Sequence, residues 1–525
     1  MLKDGNIYAG RTDDGRQVSI LPKMANRHGL IAGATGTGKT VTLKVLAESF
    51  SNLGVPVFLA DVKGDLAGMI APGTESDDMK ERIKRFELEG TGFSLHSYPA
   101  VFWDLYGKKG IQLRTTISQM GPILLSRILG LNQVQSQILA MVFKIADDNS
   151  LLLIDTKDLK SMLSWVDDHR SQFKQDYGNI STASVAAIVR AVNTLETAGG
   201  DIFFGEPDLA VQDLFSVNSE GKGVINILDS ESLINNPLLY STFLLWLMSE
   251  LFENLPEVGD ADKPKMVFFF DEAHLLFDNA SKELLDKIEQ VVRLIRSKGI
   301  GIWFISQNPS DIPDQILGQL GNKIQHALRA YTPSEQKKVK AAALSFRENP
   351  AFDTYDAILN LENAQALVSF LDEKGTPGIS ERIYILPPQS RMGTIDDADR
   401  ETAVRSSLLY SKYAQAVDPD SAYEVLQRRG AEEEKAAADA RQKEKEEAAQ
   451  AKAEAAQAKE KARQEEKQAR QKQRAAKTVA STLAGTIGRE AGKTVGKNFG
   501  RFGRTLGGNV GASLARGILS TLLKN

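Results

Sequence analysis

Apolar and polar residues divide the chain into a region of short apolar runs and a long polar C-terminal region. Runs bounded by turn-forming residues, typical of buried strands, are "HGLIAG" (28–33), "VPVFLADVKGD" (55–65), "KGVINILD" (222–229), "KMVFFFDE" (265–272), "GIGIWFISQ" (299–307) and "KIQHALRAY" (323–331). Helical periodicity lies between several of them, for example in residues 281–298. Strands that alternate with helices predict an α/β fold with a mainly parallel sheet.

Other patterns set the predicted domain boundaries. Residues 1–27 contain a β-hairpin that turns at Asp-Asp-Gly, and residues 112–200 have helical spacing, which indicates an inserted helical subdomain. The predicted core therefore comprises residues 28–111 and 201–390. The runs "AQALVSFL" (364–371) and "SERIYILP" (380–387) are expected to be closing edge strands, and residues 391–430 a helical connector.

The C-terminal region has a different composition. Residues 431–476 are almost only Ala, Glu, Lys, Gln and Arg, and they lack the larger apolar residues that a coiled coil needs. They predict a solvated charged helix or a disordered linker. Residues 477–525 form a basic, glycine-rich tail in which Glu490 is the only acid. The tail is either a disordered extension or a binding segment for an anionic membrane or nucleic acid.

Bulk composition excludes several classes of protein. The 525 residues have a net charge of −4 and no cysteine, which rules out disulfides and thiolate metal sites. Neither a signal-peptide pattern nor a run of roughly 18–20 apolar residues occurs. We therefore expect a cytoplasmic protein, with attachment to the inner face of the membrane through the tail as an alternative.

A phosphate-binding loop is the first chemical motif. "GATGTGKT" (33–40) fits G-x-x-x-x-G-K-[ST], and it follows a predicted strand and opens a helix. Its glycines let backbone N–H groups face phosphates, Lys39 reaches the β- and γ-phosphates, and the Thr40 hydroxyl suits Mg²⁺. A chance glycine-rich turn is the alternative. The predicted ATP-binding residues are Gly33, Ala34, Thr35, Gly36, Thr37, Gly38, Lys39, Thr40 and Val41.

An acidic pair supplies the second half of the site. The apolar run at 265–270 ends in Asp271 and Glu272, and a carboxylate at a strand tip beside a phosphate loop suits Mg²⁺. We assign Asp271 to the metal through water, and Glu272 to the attacking water. The alternative is a pair of acids that cap a helix. Beside a complete phosphate loop, the pair predicts an ATPase rather than a nucleotide switch.

Four further residues are candidates. Gln307 follows the run after Asp271 and could sense the γ-phosphate, or it could simply begin a turn. Arg296 and Arg329 are candidate arginine fingers, although an arginine at a helix end also favours the helix dipole. Asp61 ends the second strand, where it either contacts the nucleotide site indirectly or starts the next turn.

The tetrapeptide Asp-Glu-Ala-His at 271–274 also names a class of two-lobed helicases. Here Lys39 and Asp271 are 232 positions apart, and only about 80 residues of core follow Gln307, too few for a second RecA-like half. A single RecA-like core usually completes its site from a neighbouring subunit. We therefore expect a homo-oligomeric ring, a hexamer, in which an arginine acts in trans.

Three segments together resemble the HerA/FtsK superfamily of P-loop ATPases, and within it the YjgR-type proteins with a HerA-like helicase domain. They are residues 26–68, which include the phosphate loop, "FFFDEAHLLF" (268–277) and "IRSKGIGIWFISQNPSDIP" (295–313). The resemblance implies a hexameric ring that moves DNA or, in relatives, peptides. It also implies nucleotide roles for Lys39, Thr40, Asp271, Glu272 and Gln307, and a finger role for Arg296 or Arg329.

Three hypotheses of function follow. The first is an ATP-driven translocase or helicase acting on double-stranded DNA. The second is a ring ATPase that acts on protein or at the membrane surface, motivated by the basic tail. The third is a structural protein that binds nucleotide without hydrolysing it, which Glu272 argues against.

Overall fold

The computed structural model describes residues 1–89, 91–233, 236–259, 261–278 and 282–495, together with Ser513. The chain divides into two units, Met1–Gln427 and Arg428–Asn525. Within the first unit, the described residues form one sheet of thirteen strands. The strands are β1 (Leu2–Lys3), β2 (Asn6–Thr12), β3 (Gln17–Ile20), β4 (Gly29–Ala32), β5 (Val57–Asp61), β6 (Ala100–Asp104), β7 (Ile111–Gln112), β8 (Ile225–Asp229), β9 (Met266–Phe270), β10 (Ile300–Ser306), β11 (Asn322–Gln325), β12 (Gln365–Ser369) and β13 (Glu381–Ile385).

The sheet has the order β1-β2-β13-β12-β11-β4-β10-β9-β5-β8-β6-β7, with β3 paired to β2. From β11 to β7 every neighbouring pair is parallel. The pairs on the β12 side are antiparallel. The prediction of an α/β fold with a mainly parallel sheet flanked by helices is confirmed.

Helices connect and cover these strands. They are α1 (Lys39–Asn52), α2 (Asp77–Arg85), α3 (Ile117–Ile128), α4 (Gln133–Asp148), α5 (Thr156–Asp168), α6 (Arg170–Tyr177), α7 (Thr182–Thr197), α8 (Gly200–Phe203), α9 (Pro237–Asn254), α10 (His274–Phe277), α11 (Lys282–Ile295), α12 (Asp314–Leu317), α13 (Pro333–Leu344), α14 (Thr354–Asn360), α15 (Asp397–Ser406), α16 (Tyr410–Tyr413) and α17 (Ala422–Val495).

Each face of the sheet has its own hydrophobic core. Phe268 and Phe270 of β9 pack in the cluster that contains the helices of the 112–200 region and α9. Phe269, between them, packs in the opposite cluster with Phe50 of α1 and Trp303 of β10. Successive side chains of a strand point to opposite faces. An uninterrupted apolar run is therefore what a strand covered on both faces requires.

Several sequence expectations about strands were wrong in detail. The run at 380–387 is not an edge strand, because β13 pairs with β12 on one side and with β2 of the N-terminal hairpin on the other. The hairpin therefore extends the sheet beyond β13. The predicted strand at 323–331 ends at Gln325, where the chain leaves the sheet. Strands β6 and β7 had not been predicted.

In the second unit, α17 continues without interruption to Val495. Residues 431–476 are helical and exposed throughout, so the charged helix, rather than the disordered linker, is observed. The described part of the basic tail, residues 477–495, belongs to the same helix, and the remainder of the tail lies outside the described residues except for Ser513. Within the described part of the chain, no helix is long and apolar enough to cross a membrane.

Candidate nucleotide-binding site

Four adjacent parallel strands bring the predicted motifs to one edge of the sheet. Strand β10 lies between β4 and β9, and β5 lies on the other side of β9. The phosphate loop follows β4, Gln307 follows β10, Asp271 follows β9, and Asp61 ends β5. The carboxyl ends of neighbouring parallel strands meet at one edge, where open α/β sheets bind their ligands.

The phosphate loop has a backbone that glycine favours. Gly36 and Gly38 have φ angles of 80° and 114°, in the left-handed region, and the position of a Gly36 side chain would be open. The ammonium group of Lys39 donates hydrogen bonds to the carbonyl oxygens of Gly33 and Ala34, at 2.6 and 3.2 Å. These bonds hold the ammonium group inside the loop. Burial lowers the pKa of Lys39, whereas the nearby charges of Asp271 and Glu272 raise it.

Helix α1 begins at Lys39, directly after the loop, and its N-terminus faces the loop. Its Thr40 and Val41 lie in the first turn. Buried residues Leu46 and Phe50 anchor the helix on the sheet. The unpaired N–H groups and the dipole of a helix N-terminus favour an anion, and phosphate binding by these residues remains a prediction.

Beneath the loop lies His326, which the sequence analysis did not single out. Its side chain is fully buried, and a Cβ atom added at Gly33 would come within 2.5 Å of it. Its Nδ1 lies 2.9 Å from the Gln365 carbonyl oxygen, and its Nε2 lies 2.8 Å from the Thr42 hydroxyl oxygen. A carbonyl oxygen can only accept a hydrogen bond, so the proton is on Nδ1 and Thr42 donates to Nε2. His326 thus links β12 and α1 under the phosphate loop.

Asp271 lies directly at the tip of β9. Its Oδ1 accepts a hydrogen bond from the backbone N–H of Glu272 at 2.9 Å, and the Tyr240 hydroxyl donates to its carbonyl oxygen at 3.0 Å. Burial, followed by the charge of Glu272, raises the pKa of Asp271 to about 6, while Lys63 and Lys39 oppose the shift. The carboxylate is therefore close enough to Lys39 for the two motifs to interact electrostatically.

Glu272 has an unusual backbone for its residue type. Its φ angle is 48°, in the left-handed region, which costs a non-glycine residue on the order of 1–3 kcal/mol. The next peptide N–H, that of Ala273, is fixed by a 2.9 Å hydrogen bond to the Ile305 carbonyl of β10. The Glu272 side chain is 16% exposed. Strain of this kind is typical of functional positions.

Asp61 starts the turn that follows β5, which is one of the two roles that the sequence predicted for it. Its Oδ2 accepts a hydrogen bond from the backbone N–H of Leu66 at 3.0 Å, which closes the turn after β5. Burial, and next the charge of Asp65, raise its pKa to about 7. In the sheet register Asp61 lies beside Asp229, which forms a buried ion pair with Arg400 at 2.7 Å. An indirect role of Asp61 at the nucleotide remains a prediction.

Gln307 lies between the phosphate loop and the acidic pair, because β10 separates β4 from β9. Its side chain is exposed. The turn that follows is held by Asp311, whose Oδ2 accepts from the Ser306 hydroxyl at 2.7 Å and from the Asn308 N–H at 2.9 Å. The turn therefore has other stabilising contacts, and the γ-phosphate contact of Gln307 remains a prediction.

The two candidate arginines lie in different places. Arg296 precedes β10, whose seven residues span about 20 Å, so it lies at the edge of the sheet opposite the phosphate loop. Arg329 follows β11 at the same edge as the loop and is exposed, with a 3.0 Å hydrogen bond to the Leu359 carbonyl oxygen. Arg296 therefore cannot reach the phosphate loop of its own subunit.

The candidate metal ligands, Thr40 and Asp271, are of the type that suits Mg²⁺ rather than a metal held by protein alone. In the described ranges, no group of three or more His, Asp or Glu residues is placed to hold a metal. Mg²⁺ usually takes one or two protein oxygen ligands and completes its shell with waters and substrate phosphates. The Thr40 hydroxyl and the Asp271 carboxylate are oxygen donors of that type.

A family model described as "Helicase HerA-like C-terminal" matches residues 7–513. The chain belongs to the HerA-like helicase family. Its curated relatives are distant. They include the DNA double-strand break repair helicase HerA of Sulfolobus acidocaldarius, 22% identical over 358 residues, which are 67% of this chain and 64% of that protein.

A second relative of this HerA-like protein is the DNA import protein CedB of the same organism, 24% identical over 386 residues, or 71% of this chain and 55% of that protein. The chain thus spans about two thirds or less of these relatives. Solved structures similar to it include VirB4 of Thermoanaerobacter pseudethanolicus, with a TM-score of 0.48 and 15% identity over 74% of this chain and 97% of that chain. The plasmid coupling protein TrwB, in complex with ADP and Mg²⁺, is similar with a TM-score of 0.48 and 14% sequence identity. The match covers 72% of this chain and 89% of that chain.

Proposed function

We propose that this HerA-like protein is an ATP-hydrolysing ring motor that translocates or unwinds double-stranded DNA. The observation that carries the proposal is the adjacency of β4, β10 and β9, which puts Lys39 beside Asp271 and Glu272 at one edge of the sheet. A phosphate loop next to a buried metal-binding carboxylate and a second, partly exposed carboxylate has the parts that hydrolysis of ATP requires.

In the proposed reaction each residue has one task. The loop N–H groups and Lys39 bind the β- and γ-phosphates, and Thr40 with Asp271 would hold Mg²⁺. When bound, the metal neutralises charge on the phosphates. Glu272 accepts a proton from the attacking water as the new P–O bond forms and the bond to the ADP oxygen breaks. Gln307 would contact the γ-phosphate or the water, since it lies between the loop and Glu272.

The ring is supported by the position of Arg296. An arginine at the opposite edge of the sheet from its own phosphate loop is placed to stabilise the transferred phosphate only in a neighbouring subunit. A closed ring, proposed to be a hexamer, would repeat that contact at every interface. Arg329 is the alternative finger.

The DNA part of the proposal is supported by the names of the curated relatives, a DNA repair helicase and a DNA import protein. It is tested by measuring phosphate release with and without double-stranded DNA at low salt. We expect stimulation in the wild type, and DNA and ATP binding without turnover in the Glu272→Gln variant. If DNA does not change the rate of hydrolysis and the protein does not retard DNA on a gel, the protein is not a DNA motor. This result would not contradict the proposed ATPase activity.

A second candidate is a ring ATPase at the membrane surface or on a protein substrate. It is favoured by an apolar stripe on α17, where Val479, Leu483 and Ile487 are 59%, 57% and 66% exposed, in a segment followed by the basic tail. Residues four apart lie on one helix face, a pattern that suits an anionic membrane surface.

The membrane candidate is tested by flotation of the full chain with vesicles that contain an anionic phospholipid. Leu483→Asp should lower the bound fraction, and Ala462→Asp, on the charged part of the same helix, should leave it unchanged. Equal flotation of both variants and of the wild type would argue against the stripe.

A further inference from the structure

His274, the last residue of the Asp-Glu-Ala-His tetrapeptide, contacts the carboxylate that is proposed to activate water. Its Nδ1 lies 3.4 Å from Oε2 of Glu272. The imidazole is 30% exposed and the carboxylate side chain 16% exposed, so both side chains are only partly accessible to solvent. The distance is slightly longer than an ideal N–H···O hydrogen bond, and catalytic hydrogen bonds often shorten when substrate binds.

Glu272 Oε2 has few other options for a partner. The atom is buried, and among the described residues it has no hydrogen bond. The cationic group of the loop, Lys39, donates to the carbonyl oxygens of Gly33 and Ala34, and it makes no hydrogen bond to Glu272 Oε2. Asp271, on the other side, is an acid whose pKa the charge of Glu272 raises, so it does not offer a donor. A buried carboxylate oxygen without a donor is costly, which makes the His274 N–H the natural partner.

Backbone hydrogen bonds hold Glu272 and His274 on one short turn. The Glu272 carbonyl oxygen accepts a hydrogen bond from the Leu275 N–H at 3.0 Å, and the His274 carbonyl oxygen accepts one from Asp278 at 2.9 Å. Buried Leu276 anchors the same short helix in the core. Glu272, in the left-handed conformation, and His274 therefore lie two residues apart on one hydrogen-bonded turn.

We propose that His274 is a positioning residue for hydrolysis. Its Nδ1–H holds Oε2 of Glu272, which leaves Oε1 to accept the proton of the attacking water. Only the tautomer with the proton on Nδ1, or the charged imidazolium, can donate in this direction. The inference rests on the proposed ATPase function, because it assigns His274 a task only if Glu272 activates water.

The variants follow from the shape of the imidazole. His274→Ala removes the donor, and we expect kcat for ATP hydrolysis to fall about 10-fold, as for loss of one well-placed hydrogen bond in the transition state, while KM for ATP changes less than about 2-fold. An asparagine amide places its nitrogen near the position of Nδ1, whereas a glutamine amide reaches the position of Nε2. His274→Asn should therefore restore most of kcat, and His274→Gln should not.

The experiment measures steady-state phosphate release of the full-length oligomer, without DNA, for the wild type and these variants, with thermal unfolding as a check on folding. Wild-type kcat in His274→Ala would overturn the inference, as would equal rescue by Gln and Asn, or a loss confined to KM. If the wild type itself releases no phosphate, the proposed function fails, and this result is distinct from the others.

Discussion

His326 gives the sharpest prediction about the phosphate loop, because a single buried side chain connects the loop, α1 and β12. Its imidazole fills the space directly under Gly33 and Gly38. Burial lowers the pKa of His326 to about 4, so the ring is neutral at neutral pH. The change to be made is His326→Ala, which removes the ring and leaves the Thr42 hydroxyl without its partner.

The expected cost can be worked from the contacts. Two hydrogen bonds, at 2.8 and 2.9 Å, are worth about 1 kcal/mol each. Removal of the imidazole also leaves a cavity under the loop, and large-to-small changes in a core cost roughly 2–5 kcal/mol. Allowing for partial collapse of the cavity, we expect His326→Ala to destabilise the first unit by about 3–5 kcal/mol. The loosened loop should also raise KM for ATP more than it lowers kcat.

Two assays check this prediction, thermal unfolding and ATP binding. Each also includes matched variants of Thr42, the hydrogen-bond partner of His326. For a unit of this size, 3–5 kcal/mol corresponds to a fall in Tm of roughly 5 °C. Thr42→Val removes the hydroxyl and should reproduce part of the loss, while Thr42→Ser keeps it and should not. A His326→Ala protein with wild-type Tm and wild-type ATP affinity would refute the assignment of His326 to the loop.

The contribution of His326 to the free energy of unfolding should also depend on pH, in one direction. The pKa of His326 is about 4 in the folded protein, below its ordinary value of 6.5. The stability that the neutral ring provides is thus present above pH 6.5 and is lost as the pH falls towards 4. Since Gln does not titrate, the difference in Tm between the wild type and His326→Gln should narrow over this interval. A constant difference would contradict a buried neutral imidazole.

Three further predictions concern the site and its support. Mixing Lys39→Ala with Arg296→Ala subunits should restore part of the wild-type ATPase activity, although each variant alone is inactive. Some interfaces in the mixed rings then combine an intact phosphate loop with an intact Arg296 from the neighbouring subunit. No recovery of activity would argue against Arg296 acting in trans. Since the pKa of Asp271 is raised to about 6, protonation below that pH should weaken Mg²⁺ binding, and kcat/KM for MgATP should fall from pH 7 to 5. A flat profile would contradict the raised pKa of a metal-binding Asp271. Glu48 of α1 is buried and accepts hydrogen bonds from two backbone N–H groups of the segment after β13. Glu48→Ala should therefore cost about 3–5 kcal/mol and Glu48→Gln less, because the amide oxygen can still accept a hydrogen bond, as measured by thermal unfolding. Equal losses in the two variants would contradict this acceptor role.

Local motifs could be predicted from the sequence because their chemistry is contained in a few consecutive residues. The phosphate loop needs glycines, Lys39 and Thr40 between a strand and a helix, and all of these are adjacent in the chain. The tip of β9 is likewise marked by an apolar run that ends in Asp271. For residues 431–476 the sequence left two alternatives, a charged helix and a disordered linker. Helix propensity favours the helix, but without apolar residues no tertiary packing stabilises it, so the sequence did not decide between the two.

Features that depend on long-range contacts could not be predicted. The partner of His326 on α1, Thr42, is 284 positions away, and nothing in "KIQHALRAY" marks the histidine as part of the phosphate site. In the same way β13 has a neighbour, β2, from the other end of the chain, so its position in the sheet could not be inferred locally. The left-handed backbone of Glu272 also had no signal in the sequence, because it results from the turn between β9 and α10.

The most direct test of the account is the rate of ATP hydrolysis by size-fractionated protein, measured for the wild type and Lys39→Ala with and without double-stranded DNA. We predict phosphate release in the oligomer fraction, little in the monomer fraction, stimulation by DNA, and none of this activity in Lys39→Ala. Equal rates in monomer and oligomer would contradict a site shared between subunits. A wild-type oligomer that releases no phosphate, or one whose rate is unchanged by Lys39→Ala, would contradict the proposal that this chain is a HerA-like ATPase motor.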